Sequence, residues 1–191
     1  IGALVLLLLV TTTAVGLNGY FGGGSGSEVL SSATSTQGLV GYWNFDEGTG
    51  QATNDSSDSN NDGTLGTDSS AGTDDPTWTT GKAGNGGALD FDGSNDYVAV
   101  PGSSSLTFTN QITIATWVKR DSTGTVDQIL DKRGGATSVN YGSWFLTTNV
   151  LEFFYRDSTN ANYHIWTSTN SFTDTSNFHH IAFTFTYGTG S

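Results

Sequence analysis

The stretch Gly87-Ala88-Leu89-Asp90-Phe91-Asp92-Gly93-Ser94-Asn95-Asp96-Tyr97-Val98-Ala99-Val100 decides how this chain folds. Leu89 and Phe91 alternate with Asp90 and Asp92, a period of two that marks a strand with one buried face. Gly93-Ser94-Asn95 supplies turn chemistry, since glycine accepts positive φ and Ser and Asn side chains bond to nearby backbone. Tyr97–Val100 resumes in residues that favour strands. The reading is a strand, a tight acidic corner and a second strand, with Asp90, Asp92 and Asp96 close together at the edge of a sheet.

Outward from this corner the same period recurs. Before it, Leu39–Phe45 places Leu39, Trp43 and Phe45 on one face of a strand. After it, Gln111–Arg120 sets Ile112, Ile114, Thr116 and Val118 against Ala115 and Trp117, and Asp127–Lys132 is a short strand around Ile129 and Leu130. Tyr141–Thr147 and Val150–Arg156 flank Thr148-Asn149, which reads as a two-residue hairpin turn. Asn162–Ser168 follows, and Phe178–Tyr187 is the clearest alternation in the chain. Between Asp46 and Thr80 the sequence is mostly Ser, Thr, Asn, Asp and Gly, with a short strand near Thr64-Leu65; so long a polar excursion reads as a surface loop or a disordered one. About nine or ten short strands without a convincing helix among them predict an all-β, two-sheet antiparallel jelly-roll sandwich.

The first residues differ. Ile1–Val10 is almost wholly apolar, and Ile1–Phe21 only just reaches the length of about 20 residues that a bilayer-crossing helix needs. It reads as a short hydrophobic N-terminal helix: a signal-peptide core, a membrane anchor or, less well, the helix of a pilin-like subunit, interrupted by glycines at 16, 19 and 22–24. Residues 22–37, opening Gly-Gly-Gly-Ser-Gly-Ser, have linker composition. The expected organisation is therefore 1–21 signal or anchor, 22–37 linker and 38–191 folded domain, outside the cytoplasm and membrane-attached if the first segment is uncleaved. Gly188-Thr189-Gly190-Ser191 follows directly on a strong strand, which suggests that the domain continues beyond it.

Composition narrows the function. The chain of 191 residues has no cysteine and a net charge of −12. Nucleic acid is excluded as a partner, because phosphates need clustered Lys and Arg. Disulfides, thiolate metal sites and cysteine nucleophiles are excluded too.

These motifs, in this order, resemble the laminin-G-like, concanavalin A-like lectin/glucanase superfamily. The resemblance is carried by Gly38–Glu47 as the opening strand, Asn61-Asp62-Gly63-Thr64-Leu65 as a turn and Gly87–Val100 as the core signature. Ile112–Lys119 and Asn177-Phe178-His179-His180-Ile181-Ala182 match two further strands. It implies a jelly-roll used mainly for binding, on which the ligand varies widely. It also implies further closing strands after the last one here.

Five candidate chemistries follow. Asp90, Asp92 and Asp96 offer carboxylates to a calcium ion, which takes six to eight oxygen ligands; alternatively Asp92 and Asn95 cap the turn through backbone hydrogen bonds. Asp58-Ser59-Asn60-Asn61-Asp62-Gly63 fits the first half of a calcium loop, but Ser69 stands where the bidentate Glu belongs. Glycoside hydrolysis needs a carboxylate pair, and Glu28, Glu47 and Glu152 are not spaced for one. His179 and His180 face opposite ways on a strand, so they do not share a metal. Trp144, Tyr155, Tyr163 and Trp166 are candidates for stacking on sugar, in competition with the needs of a core. The expectation is a non-catalytic extracellular module for glycan or a surface protein, with a structural module of a larger surface protein or an accessory domain of a glycoside hydrolase as alternatives.

Overall fold

A computed structural model describes residues 3–10, 38–83, 86–108, 111–134, 140–156 and 163–186, with the backbone alone at 3–10, 140 and 163. In chain order the strands are β1 (Ala3–Val10), β2 (Leu39–Trp43), β3 (Ala52–Thr53), β4 (Gly63–Leu65), β5 (Thr77–Thr80), β6 (Gly87–Asp90) and β7 (Val98–Ala99). After a 3-10 turn at Ser104–Leu106 come β8 (Gln111–Lys119), β9 (Asp127–Lys132), β10 (Asn140–Phe145), β11 (Val150–Arg156), β12 (Tyr163–Ser171) and β13 (His179–Thr186). They form three antiparallel sheets: β13-β8-β1-β6-β5 with β2 also on β1, β12-β11-β10-β9, and β3-β4-β7.

The alternation read in the sequence is the alternation that builds the core. Ile112, Ile114, Thr116 and Val118 of β8 and Ile181 and Phe185 of β13 are buried on one face, opposite Tyr141, Phe145, Leu151, Phe153 and Tyr155 of β10 and β11. Aromatic rings join the two large sheets across the gap: Phe185 lies 4.3 Å from Tyr155 and Phe183 stacks at 5.1 Å on Phe153. Such ring pairs add to the burial of apolar area that drives the sheets together. The all-β expectation holds, and the layering is that of a sandwich.

Three local expectations are corrected. The hydrophobic N-terminal helix is not formed over Ala3–Val10, which is strand β1, inserted between β8 on one side and β6 and β2 on the other. A strand in the middle of a covered sheet reads as a continuous apolar run, and periodicity alone cannot tell that run from a buried helix. The rest of the expected anchor and the linker lie outside the described residues. Among those described, no helix is long and apolar enough to cross a membrane.

The polar excursion after Phe45 is neither bare loop nor structureless. It contributes β3, β4 and β5, and the buried carboxylate of Asp55 organises it. Asp55 accepts from the backbone N–H of Tyr42, Ser57 and Asn61 at 2.8 Å each, and from the Ser57 hydroxyl at 2.8 Å. Asn61 in turn donates to the Val40 carbonyl and Ser105 Oγ, and its own carbonyl takes the Trp43 indole N–H at 2.9 Å. Polar residues thus replace apolar ones as the cohesive element here.

The β10–β11 connection has four residues, Leu146–Asn149, rather than two. Leu146 donates to the Val150 carbonyl and Asn149 to the Leu146 carbonyl, with Asn149 at φ +63°. That is a turn closed by a left-handed residue, a position Asn tolerates.

Candidate functional site

The acidic corner is built as a turn. β6 sends Leu89 into the core, and Phe91 packs against it. Asp92 Oδ1 accepts from Ser94 N at 2.8 Å, and the Asp92 N–H donates to Asp96 Oδ2 at 2.8 Å, around Gly93 at φ +79°. Asn95 ties the corner to the preceding loop through the Thr73 carbonyl at 3.0 Å. On that loop Asp74 accepts from the Thr67 hydroxyl, which lies 2.9 Å from the Tyr97 hydroxyl, and this Thr67 bond holds the Asp74 carboxyl below its ordinary range. Asp90 is set apart: partial burial, and then the nearby negative charge of Asp121, raise its pKa.

Asp92 and Asp96 are engaged in closing the turn, and among the described residues no group of three or more His, Asp or Glu is arranged to hold a metal ion. The Asp58–Gly63 loop is likewise internally used, with Asp62 Oδ1 accepting from Asp55 N at 2.9 Å.

The corner does form one wall of a cleft of about 400 Å³. Phe91, Asp96, Tyr97, Val98 and Val100 supply that wall, and β9 supplies Gln128–Lys132 opposite. The floor is Trp43, Phe45, Leu106 and Tyr141, all buried. The Tyr141 hydroxyl donates to the Leu106 carbonyl at 3.1 Å, and burial pushes its pKa up. Burial also lowers the pKa of Lys132, whose ammonium lies 5.8 Å from the Tyr141 ring.

Phe45 enters the floor at φ +57°, a backbone state costly for a bulky residue. The glycine before β6 and the first residue of β6 accommodate it. Gly87 donates to Asp46 Oδ1 at 2.7 Å, and a Cβ on Gly87 would stand 2.3 Å from the Phe45 carbonyl oxygen. The result is an apolar, aromatic floor with carboxylate, amide and ammonium groups at the rim, the usual make-up of a small-ligand site.

Of the four aromatic candidates, the three whose side chains are described, Trp144, Tyr155 and Trp166, are not brought together. Tyr155 is 1% exposed and belongs to the core. Trp144 stands opposite Glu152, and Glu152 opposite Thr167, whereas Trp166 stands opposite Phe153; Trp144 and Trp166 therefore occupy opposite faces of one sheet. Trp166 is 44% exposed and sits against Phe153, Phe185 and His164. The Tyr163 side chain lies outside the described residues. The competing claim of the core has won at Tyr155, because its position on the strand shares a face with Phe153.

The histidines divide as the strand geometry requires. His179 pairs with Asp174 at 3.2 Å, while His180 lies on the other face, 5.1 Å from the Trp117 ring. The Asn177 amide, followed by the Ser176 N–H, holds the Asp174 carboxyl below its ordinary range. Of the glutamates, Glu47 accepts from Asn54 N at 2.7 Å, and Glu152 on β11 accepts from Thr167 on the neighbouring strand β12.

Sequence reasoning missed the cleft because its walls come from segments far apart in the chain. The one available signal was the Asp96-Tyr97 pair, an acidic residue followed by an aromatic at a turn exit.

An all-β chain with face-to-face antiparallel sheets and an aromatic cleft at their edge is of the lectin-like sandwich class. The family comparison agrees: the chain belongs to the concanavalin A-like lectin/glucanases superfamily, whose model matches residues 92–191. No curated protein and no solved structure matches it. The match starts inside the acidic corner, yet β2 and β6, which precede it, share a sheet with β8.

Proposed function

We propose that this chain is a non-catalytic, extracellular binding module that takes carbohydrate in the cleft between β9 and the acidic corner. The cleft itself carries the reading. Phe91 and Tyr97, the latter 41% exposed at the mouth, give accessible ring surface over a buried floor of Trp43, Phe45 and Tyr141, and Asp96, Gln128, Asp131 and Lys132 give polar groups at the rim. Sugars offer an apolar C–H face and a fringe of hydroxyls, and that combination matches ring faces bordered by hydrogen-bonding groups.

A glycan array probed with the full chain, with calcium and with chelator, tests this reading. Signal on a defined sugar class, reduced at least tenfold by Tyr97→Ala, is the expected result. A blank array under both conditions removes the lectin reading.

A second reading has its own observation. Trp166, 44% exposed on the β12 edge strand, suits a module that packs against a neighbouring part of a larger surface protein. In that case the array stays blank and the binding partner is a protein.

A further inference from the structure

The sheet that carries the site contains a slot filled by a strand distant in sequence. On one side β8 pairs with β1 from Ala3↔Lys119 to Val10↔Thr113. On the other side β6 pairs at Ala3↔Asp90 and Leu4↔Leu89, and β2 from Leu7↔Trp43 to Val10↔Leu39. The occupant is thus hydrogen-bonded along both edges, and without it β8 has no neighbour on that side among the described residues.

The borders of the slot dictate what fits. Leu89, Val118, Trp43 and Thr116 flank it on the core side, each 3% exposed or less. Trp117 and Ala88, which form a second apolar cluster, flank it on the other face. A strand seated there is apolar at successive positions, not at alternate ones. Ala3–Val10, Ala-Leu-Val-Leu-Leu-Leu-Leu-Val, is the only run of eight consecutive apolar residues in the sequence.

The connection does not force that strand into its own slot. Val10 lies opposite Leu39, so a two-residue loop would suffice to close the β1–β2 hairpin. Residues 11–38 stand between them instead, a length that reaches about 90 Å at full extension. A neighbouring slot is within that reach, and exchange of identical elements between copies makes no contact that the single chain lacks.

We infer that the slot is an acceptor groove for an apolar strand, and that the Ala3–Val10 strand of a second copy fills it interchangeably with the chain's own. Self-association by strand exchange follows, in the manner of β-strand addition. A segment seated as β1 is not at the same time available to cross a bilayer, so sheet completion and anchoring exclude one another within one copy. This inference does not rest on the carbohydrate reading, although Trp43 both flanks the groove and floors the cleft.

Two variants test it. Deleting residues 11–37 joins Val10 to Gly38 and leaves too short a loop for the hairpin, so β1 can only enter another copy. The expected product is folded, melts cooperatively and has at least twice the parent mass by light scattering. A folded monomer with the parent melting temperature overturns the inference. The second variant lacks residues 1–37 and has an empty groove. It is expected to melt lower than the parent and to recover on adding a lysine-flanked Ala3–Val10 peptide, but not the same peptide carrying Leu7→Pro, which removes a ladder donor. If it melts like the parent, or if both peptides act alike, the groove accepts no strand and the inference falls. The peptide arm also decides the case should the first variant not fold.

Discussion

Arg120 donates through Nε to Asp127 Oδ2 at 2.7 Å, with both side chains buried, 3% and 9% exposed. Its Nη1 reaches Asn149 Oδ1 at 3.1 Å and the Phe172 carbonyl at 2.9 Å, and the guanidinium lies 4.5 Å from the Phe145 ring centre. One side chain at the end of β8 therefore pins the start of β9, the β10–β11 turn and the link from β12 to β13. Asn149 is shared further, accepting from Gly124 N at 2.8 Å.

Replacing Arg120 alone is expected to be severe. Arg120→Met keeps the stem but leaves Asp127 buried with the Thr125 hydroxyl, 2.8 Å away, as its one remaining side-chain donor among the described residues. Removing one partner of a buried pair costs about 3–5 kcal/mol. In a domain of this size 1 kcal/mol moves Tm by roughly 2–4 °C, so the fall is on the order of 10 °C. Arg120→Met combined with Asp127→Leu recovers part of it, since no uncompensated charge remains. Thermal denaturation followed by circular dichroism reads both; a single variant melting within a degree of the parent contradicts the role assigned to the pair.

Asp55 gives a second stability test, in the segment that looks least structural. Asp55→Ala removes the acceptor shared by Tyr42, Ser57 and Asn61 and is expected to cost on the order of 2–4 kcal/mol, since hydrogen bonds to a charged group are among the stronger ones. Asp55→Asn is milder but still destabilising, because one oxygen becomes a donor that faces other donors. Urea unfolding measures both, and proteolysis between residues 46 and 80 should rise in parallel. A protein that loses stability without becoming cleavable there would place the effect elsewhere.

These two hubs show where the sequence was readable and where it was not. Period-two runs such as Ile112–Val118 and Ile181–Phe185 announce both a strand and its buried face, because side-chain direction on a strand is purely local. Asp55 and Arg120 announce nothing, because their importance lies in partners 6 to 52 positions away. Ala3–Val10 misled for a related reason: apolar on every side is the mark of a fully covered strand and of a membrane helix alike. At the acidic corner the residue types allowed a cap or a metal, and the cap shows only in the Asp92 and Asp96 hydrogen bonds that close the turn. The cleft joins Trp43, Tyr97 and Lys132 from three segments, and no local pattern carries such a meeting.

Asp90 offers a pH test with a definite sign. Its pKa is raised in the folded protein, first by burial and then by Asp121, so the folded state binds the proton more tightly than the unfolded chain. The favourable contribution belongs to the protonated form at low pH and is lost as pH rises through the raised value. Asp90→Asn is therefore expected to melt higher than the parent at pH 7, by less than the roughly 2–4 °C that a full kcal/mol would give. The difference shrinks toward zero below the ordinary carboxylate range. Melting curves from pH 3 to pH 7, within about the span where carboxylates titrate, check the trend; a variant that melts lower at pH 7 reverses the assigned sign.

Tyr97 and Lys132 allow binding to be separated from folding. Both line the cleft, from opposite walls, and Tyr97 is the most exposed of its aromatic residues. Tyr97→Ala removes a stacking surface while leaving the core rings in place, so Tm should move by no more than a few degrees while affinity for a sugar found on the array falls tenfold or more. Lys132→Met keeps the apolar stem that packs near Tyr141 and removes only the ammonium at the rim. It is expected to weaken binding of acidic sugars more than of neutral ones. Calcium and chelator should leave both affinity and Tm unchanged, because Asp92 and Asp96 are already occupied in the turn; a chelator-induced drop in Tm would instead place a metal at the corner. Isothermal titration alongside melting curves distinguishes these cases. Binding that survives Tyr97→Ala and Lys132→Met together, in a protein that folds normally, would move the site away from this cleft.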